Sequence, residues 1–183
     1  MEYVTFDPKV HDTRQVAALI YDVDFRTFDK LFKSKDKAVD AIEKDLRKEE
    51  CLKVVLENDE LIGILMYYTS NINHEFRLKH YKLFIVDFLD YFVLCDIKKG
   101  DFYLAEIAID KSMRSKGYGR RIIQDVLDYA RKNNYKRVIL DADFRNAGAK
   151  ALYEKMGFKV FNKKSFLKRG MYNMEFKFSE EVS

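Results

Sequence analysis

Apolar positions along the chain recur with a period of two in some stretches and near three and a half in others, and the switches mark the elements. Glu2 to Phe6 reads as a strand that Pro8 stops. Asp12 is placed to cap a helix whose stripe is Val16, Leu19 and Ile20. A second helical stripe is Phe25, Phe28, Leu31 and Phe32, and Asp36 is placed to cap a third helix carrying Ala38, Ile42 and Leu46. The other faces of these helices are charged, so they are expected to cover one side of a sheet. Cys51 to Glu57 and Leu61 to Thr69 are rich in strand formers, and Asn58-Asp59-Glu60 between them predicts a hairpin. The segment 70–100 carries Phe76, Leu78, Tyr81, Phe84, Ile85, Phe88, Leu89 and Phe92 at broadly helical spacing. It predicts a long helix, whole or broken, inserted between two strands. Such an aromatic stripe must be buried: as an extra layer on the core, as the wall of a pocket, or as the face of a homodimer.

Phe102 to Ile109 is apolar on both alternating faces, which predicts a central strand covered on both sides. Glu106 sits within it, and a carboxylate there needs a partner or a task. The helix from Ile122 to Lys132 turns Ile122, Ile123, Val126, Leu127 and Ala130 to one side and stops at Asn133-Asn134. Arg137 to Ala142 is a further buried strand. Strand, glycine turn, helix and strand make a parallel, right-handed βαβ unit. Asn146 opens a last helix with the stripe Ala149, Leu152, Tyr153 and Met156, and Gly157 is set to cap it in the left-handed conformation with Phe158 folding back. Lys159 to Phe161 and Met171 to Phe178 are the final strands, joined by the stretch from Lys163 to Gly170.

The 183 residues predict a single domain over 1–183, long enough for a substantial core. A net charge of +4 suits an anionic ligand, but without a basic face or a recognised motif nucleic acid is only a weak inference. Cys51 and Cys95 have neither metal-ligand spacing nor a disulfide framework, so no metal is expected and a reducing cytoplasmic setting fits. The apolar run Leu83 to Leu94 is broken by Asp87 and Asp90 and is too short for a bilayer, and the N-terminus does not read as a signal peptide.

The residues that carry chemistry start at Met113. Gly117 and Gly119 lie where a strand hands over to a helix, a place for a tight turn with exposed amides. The helix dipole favours an anion there, and Arg114, Lys116, Arg120 and Arg121 add charge, or are ordinary solvated side chains. The third glycine of a dinucleotide fingerprint is missing, since Ile122 stands there, and no Gly-Lys-Ser/Thr closes a P-loop. Arg114-x-x-Gly117-x-Gly119 does match the pattern Arg/Gln-x-x-Gly-x-Gly/Ala. Downstream, Asn146-x-x-Ala149-x-x-Leu152-Tyr153-x-x-x-Gly157-Phe158 matches a second pattern, one helix and one strand later. Through these two motifs the chain resembles the GNAT superfamily of acetyl-CoA-dependent N-acetyltransferases. The close resemblance covers about Phe102 to Phe161; the N-terminal half agrees in element order, and the 70–100 insertion departs from the minimal pattern.

The resemblance implies a mixed α/β fold of about seven strands flanked by helices, with splayed central parallel strands. It implies acetyl-CoA as co-substrate, the backbone of Ile107, Ala108 and Ile109 along the pantetheine arm, and the pyrophosphate on Arg114, Ser115, Lys116, Gly117, Tyr118, Gly119 and Arg120. It implies Asn146 as a further contact, Tyr153 as the acid for the leaving thiolate, and direct acetyl transfer to a small-molecule or protein amine. Glu106 is the candidate base. The bland alternatives are a core role for Tyr153, a helix cap for Asn146 and an ion pair for Glu106. A non-catalytic acyl-CoA-binding module of the same fold is the alternative function.

Overall fold

A computed structural model of the chain describes residues 1–72 and 80–178. One sheet contains seven strands: β1 (Glu2–Thr5), β2 (Leu52–Glu57), β3 (Glu60–Thr69), β4 (Asp101–Ile109), β5 (Arg137–Asp143), β6 (Lys159–Phe166) and β7 (Arg169–Lys177), in the order β1-β2-β3-β4-β5-β7-β6. The helices are α1 (Thr13–Val23), α2 (Phe25–Phe32), α3 (Lys35–Asp45), α4 (Tyr81–Tyr91), α5 (Tyr118–Lys132) and α6 (Ala147–Lys155). This is the predicted mixed sheet; of the long helix expected over 70–100, the described residues hold the 11-residue α4. Phe76 and Leu78 of the insertion stripe lie outside the described residues.

The chain divides into two compact units. The first holds Met1–Tyr67, residues 80–90 and Glu106–Lys116. Its core joins Phe6, Val16, Phe28, Ile42, Ile64 and Leu83, each at most 3% exposed. Removing such a side chain from water contributes roughly 1.5–3 kcal/mol. Asp12 caps α1 by accepting from the Gln15 N–H at 2.9 Å, as its position predicted. For α3 the cap is Ser34, which accepts from the Lys37 N–H; Asp36 lies in the first turn instead, where its charge suits the helix dipole. Asn58 and Asp59 both take positive φ, of 51° and 64°, so β2 and β3 close through a two-residue turn.

The second unit holds Tyr68–Ala105, apart from the residues of the first unit and those not described, together with 117–178. Here β4 runs parallel to β5 from Asp101↔Arg137 to Leu104↔Leu140, the crossover being α5. The registered partners stop there, although β4 continues to Ile109 and β5 to Asp143. Burial changes at the same place. Phe102, Tyr103 and Leu104 are at most 4% exposed, whereas Ala105, Glu106 and Ile107 are half-buried. The first half of this strand is covered as the apolar pattern predicted, and in the second half Ala108 alone, at 6% exposed, is buried. The stretch from Lys163 to Gly170 is not a loop, because β6 and β7 run through it and turn on Leu167 and Lys168 alone, with φ of 47° and 67°. The sequence offers no Gly or Asn at those two positions to mark so tight a turn.

Candidate active site

The turn after β4 is built from the end of the strand outward. Asp110 accepts from the Ser112 N–H at 2.9 Å and starts a short 3-10 turn, Lys111–Met113. Those hydrogen bonds from Ser112 hold the Asp110 carboxyl below the usual carboxylate range. Ser115 then takes a left-handed φ of 63°, and Gly117 a φ of 86°. For Ser115 that conformation costs about 1 kcal/mol or more, so its surroundings must impose it. Gly117 is the N-cap of α5, and its position explains the glycine: φ is positive, and a Cβ there would meet nothing within 4 Å. The helix's first backbone bond runs from Arg121 N–H to Gly117 O at 3.1 Å. The amides of Tyr118, Gly119 and Arg120 come before it and have no intrahelical partner. The turn from Arg114 to Gly117 is exposed. Open space at Gly117, amides without intrahelical partners and the positive end of a 15-residue helix fit a diphosphate.

The charged side chains of this turn have separate tasks. Arg114 donates from Nε to Ile109 O at 2.9 Å and from Nη2 to Asp22 at 3.0 Å. Lys116 reaches the sulfur of Met113 at 3.4 Å. Before the turn, Gly63 on β3 faces the β4 backbone so closely that a Cβ would lie 2.4 Å from Ala108 O. Glycine is required there by contact, since any side chain would displace Ala108.

Glu106 is half-buried, with Oε2 out of reach of solvent. The Cys51 thiol of the same unit is pushed up to about 12, first by burial, then by Glu49 and in small part by the charge of Glu106. In the second unit Asn146 caps α6, its Oδ1 accepting from the Ala149 N–H at 3.1 Å. The cap reading of Asn146 is thus realised, and it leaves the Nδ2 end for a different use. Gly157 closes α6 with φ 95°, the Phe158 N–H reaching Tyr153 O at 3.0 Å and the Gly157 N–H reaching Glu154 O at 3.0 Å, the paired bonds expected of a Schellman ending. The Tyr153 ring lies 5.9 Å from the Phe158 ring. Burial, with the charge of Asp141 second, pushes the Tyr153 phenol up to about 12, so it holds its proton throughout the neutral range.

Sequence reasoning missed the group around Asp141. This carboxylate accepts from the Cys95 N–H at 3.0 Å, the Cys95 thiol at 3.2 Å, the Tyr103 hydroxyl at 2.7 Å and Asn173 Nδ2. Burial raises its pKa, against the pull of those donors. Asn173 also donates to Val93 O at 3.1 Å, and Lys164 to Leu94 O at 2.8 Å. The chain after α4 is stitched to β5, β6 and β7 through its own backbone atoms. A lone Asp at the end of an apolar run gives no signal of that in sequence. Of the acidic residues near α1 and α2, Asp22 faces cations and Asp29 accepts from the Tyr21 hydroxyl at 2.6 Å. Among the described residues no His, Cys, Asp and Glu group could hold a metal ion, and no helix is long and apolar enough to cross a membrane.

The model of the acetyltransferase (GNAT) family matches residues 17–158. The chain belongs to this family. The match spans both glycine motifs and most of the N-terminal half, where the resemblance rested on element order alone. Over 56 residues the chain is 38% identical to human N-acetyltransferase 8, a stretch that is 31% of this chain and 25% of that protein. This chain therefore matches about a quarter of that relative's length. Among solved structures, an N-acetyltransferase from Staphylococcus aureus Mu50 superposes with a TM-score of 0.70 at 21% identity, covering 96% of this chain and 100% of that one. A Bacillus subtilis acetyltransferase in complex with CoA gives 0.56 at 14% identity, covering 97% and 100%. These likenesses bear out the GNAT fold.

Proposed function

We propose that this GNAT chain, acting as one domain, is an acetyl-CoA-dependent N-acetyltransferase that acetylates a primary amine, carried by a small molecule or a protein, in the cytoplasm. The observation that carries this is the turn into α5, where a left-handed Gly117 with open space above it precedes three amides without intrahelical partners. Ser115 to Arg120 hold the pyrophosphate, Arg114 shapes that turn, Ile107, Ala108 and Ile109 lie along the pantetheine arm, and Asn146 adds a contact.

The chemistry is a direct displacement. The neutral amine attacks the thioester carbonyl; a C–N bond forms and the C–S bond breaks. An amide of the strand near Ile107 to Ile109 donates to the oxyanion. Glu106, directly or through a water, takes the proton that the amine gives up. Tyr153, protonated at neutral pH, donates to the departing thiolate, and solvent returns both groups to their starting states.

Thermal unfolding with and without acetyl-CoA, with adenosine diphosphate as a control, tests the site. Ligand at about 100 times its dissociation constant adds about 2.7 kcal/mol. Gly117→Glu should remove the shift, because the new side chain enters the phosphate space and carries like charge; the unliganded transition should fall only by the strain of a side chain at a φ of 86°, about 1–3 kcal/mol. No shift for the wild type at millimolar acetyl-CoA would sink the reading. Binding without thiol release across an amine panel would instead favour the non-catalytic module. Tyr153→Phe should keep binding and slow turnover by roughly 100-fold or more; an unchanged rate would remove its acid role.

A further inference from the structure

The Arg114 fork joins elements that are far apart in sequence. Asp22, in the last turn of α1, has a side chain only 14% exposed, and three cations surround it: Arg114 Nη2 at 3.0 Å, Lys111 Nζ at 3.6 Å and Lys35 Nζ at 3.9 Å. Of the three, Arg114 makes the directed hydrogen bond, and its Nε is spent on Ile109 O, near the end of β4. The guanidinium is therefore fixed at two points, one on the strand and one on the helix. The next residue is Ser115, in a conformation that its own side chain disfavours. A turn that must be held in such a shape needs an anchor beside it. Arg114 is that anchor, and Asp22 sets its direction.

We infer that Asp22 is a positioning residue for coenzyme A binding, holding Arg114 so that the turn at Ser115 to Gly117 presents its amides. This rests on the reading of that turn as the pyrophosphate site. Asp22 does not touch the ligand; it removes the ordering that binding would otherwise have to impose. The opposite arrangement makes a distinct prediction. If Asp22 merely kept Arg114 away from the phosphates, releasing the arginine would strengthen binding.

Asp22 borders a cavity of about 120 Å³, so exchange of its carboxylate for an amide meets no crowding. The test is calorimetric titration of coenzyme A into wild type, Asp22→Asn, Asp22→Glu and Arg114→Gln, with Gly117→Glu as the control for the turn. Asp22→Asn should weaken binding about five- to tenfold. It should raise KM for acetyl-CoA by the same factor while kcat moves less than twofold. Asp22→Glu should recover most of the affinity. Asp22→Asn with Arg114→Gln should be no worse than the poorer single change, since both act through one contact. Unchanged or tighter binding in Asp22→Asn, with Gly117→Glu still abolishing binding, would overturn the positioning role and leave the phosphate site standing. If Gly117→Glu also bound normally, the pyrophosphate reading itself would fall, and this inference with it.

Discussion

Arg137 and Arg114 each set a forked guanidinium against a carboxylate, one largely out of water and the other at the surface. Arg137 donates to Asp101 through Nε at 2.7 Å and Nη2 at 2.8 Å, and to Glu175 through Nη1 at 2.6 Å. The three side chains are 16%, 4% and 13% exposed. Asp101 and Arg137 are the first register partners of β4 and β5, and Arg137 faces Lys177 on β7. This fork pins three strands where the parallel pair begins. Arg114 is 47% exposed and pins a turn. The chemistry is the same and the surroundings differ. Buried charge is costly to leave unpaired, so the first fork governs whether the strands stay in register. Exposed charge is screened, so the second adds little to stability, and the role proposed for it is to hold the turn before α5 in shape.

The largest consequence concerns Arg137→Gln. It would leave the buried Asp101 without its cation and Glu175 with Lys177 alone, with a loss of about 3–5 kcal/mol. At this chain length each kcal/mol moves the midpoint by roughly 2–4 °C, so thermal unfolding should shift down by about 6–20 °C. A shift of only a degree or two would mean that the fork does not hold the register.

A smaller effect separates the two forks by pH. Burial pushes the Glu175 carboxyl up, but hydrogen bonds from Arg137 and Lys177 outweigh it and hold the group below its ordinary value of 4.5. A depressed folded pKa gives stability that is full above the unfolded value and lost as pH falls through the folded one. Glu175→Gln should therefore be less stable than wild type by about 1–3 kcal/mol at neutral pH. The difference should shrink below pH 4.5 as the wild-type carboxylate takes up its proton. Urea unfolding at pH 7 and at pH 3.5 would show it; a difference that stays constant would mean that charge is not what Glu175 contributes.

What could be read in advance follows the same division between local and long-range causes. Asn58-Asp59, the Gly157 ending and the Gly117 entry into α5 are local: a few residues fix the backbone angles, and their identity reveals the turn. The second strand pair turns on Leu167 and Lys168, which disfavour that conformation, so strand pairing imposes it and sequence did not show it. Both forks were illegible for another reason. Arg137 meets Asp101 36 residues away and Arg114 meets Asp22 92 residues away, and no pattern in the chain links such partners. Arg114 was visible as a motif residue, but its partner was not. The glycine turn into α5 was legible because it is a continuous segment; the residue proposed to hold it in shape was not.

The smallest effect tests the exposed fork by itself. Arg114→Gln removes the guanidinium but leaves Lys111 and Lys35 within 4 Å of Asp22, so that carboxylate is not stranded as Asp101 would be. The expected loss of stability is below about 1 kcal/mol, the range of solvent-exposed pairs. Because such pairs are screened within about 3 Å at 1 M salt, the wild type and the variant should converge there. Thermal unfolding of the unliganded protein at low and high salt would measure both. A loss as large as that of Arg137→Gln, persisting in high salt, would show that exposure is not what distinguishes the two forks. The turn before α5 would then be part of the folding core, and its arginine a structural residue first.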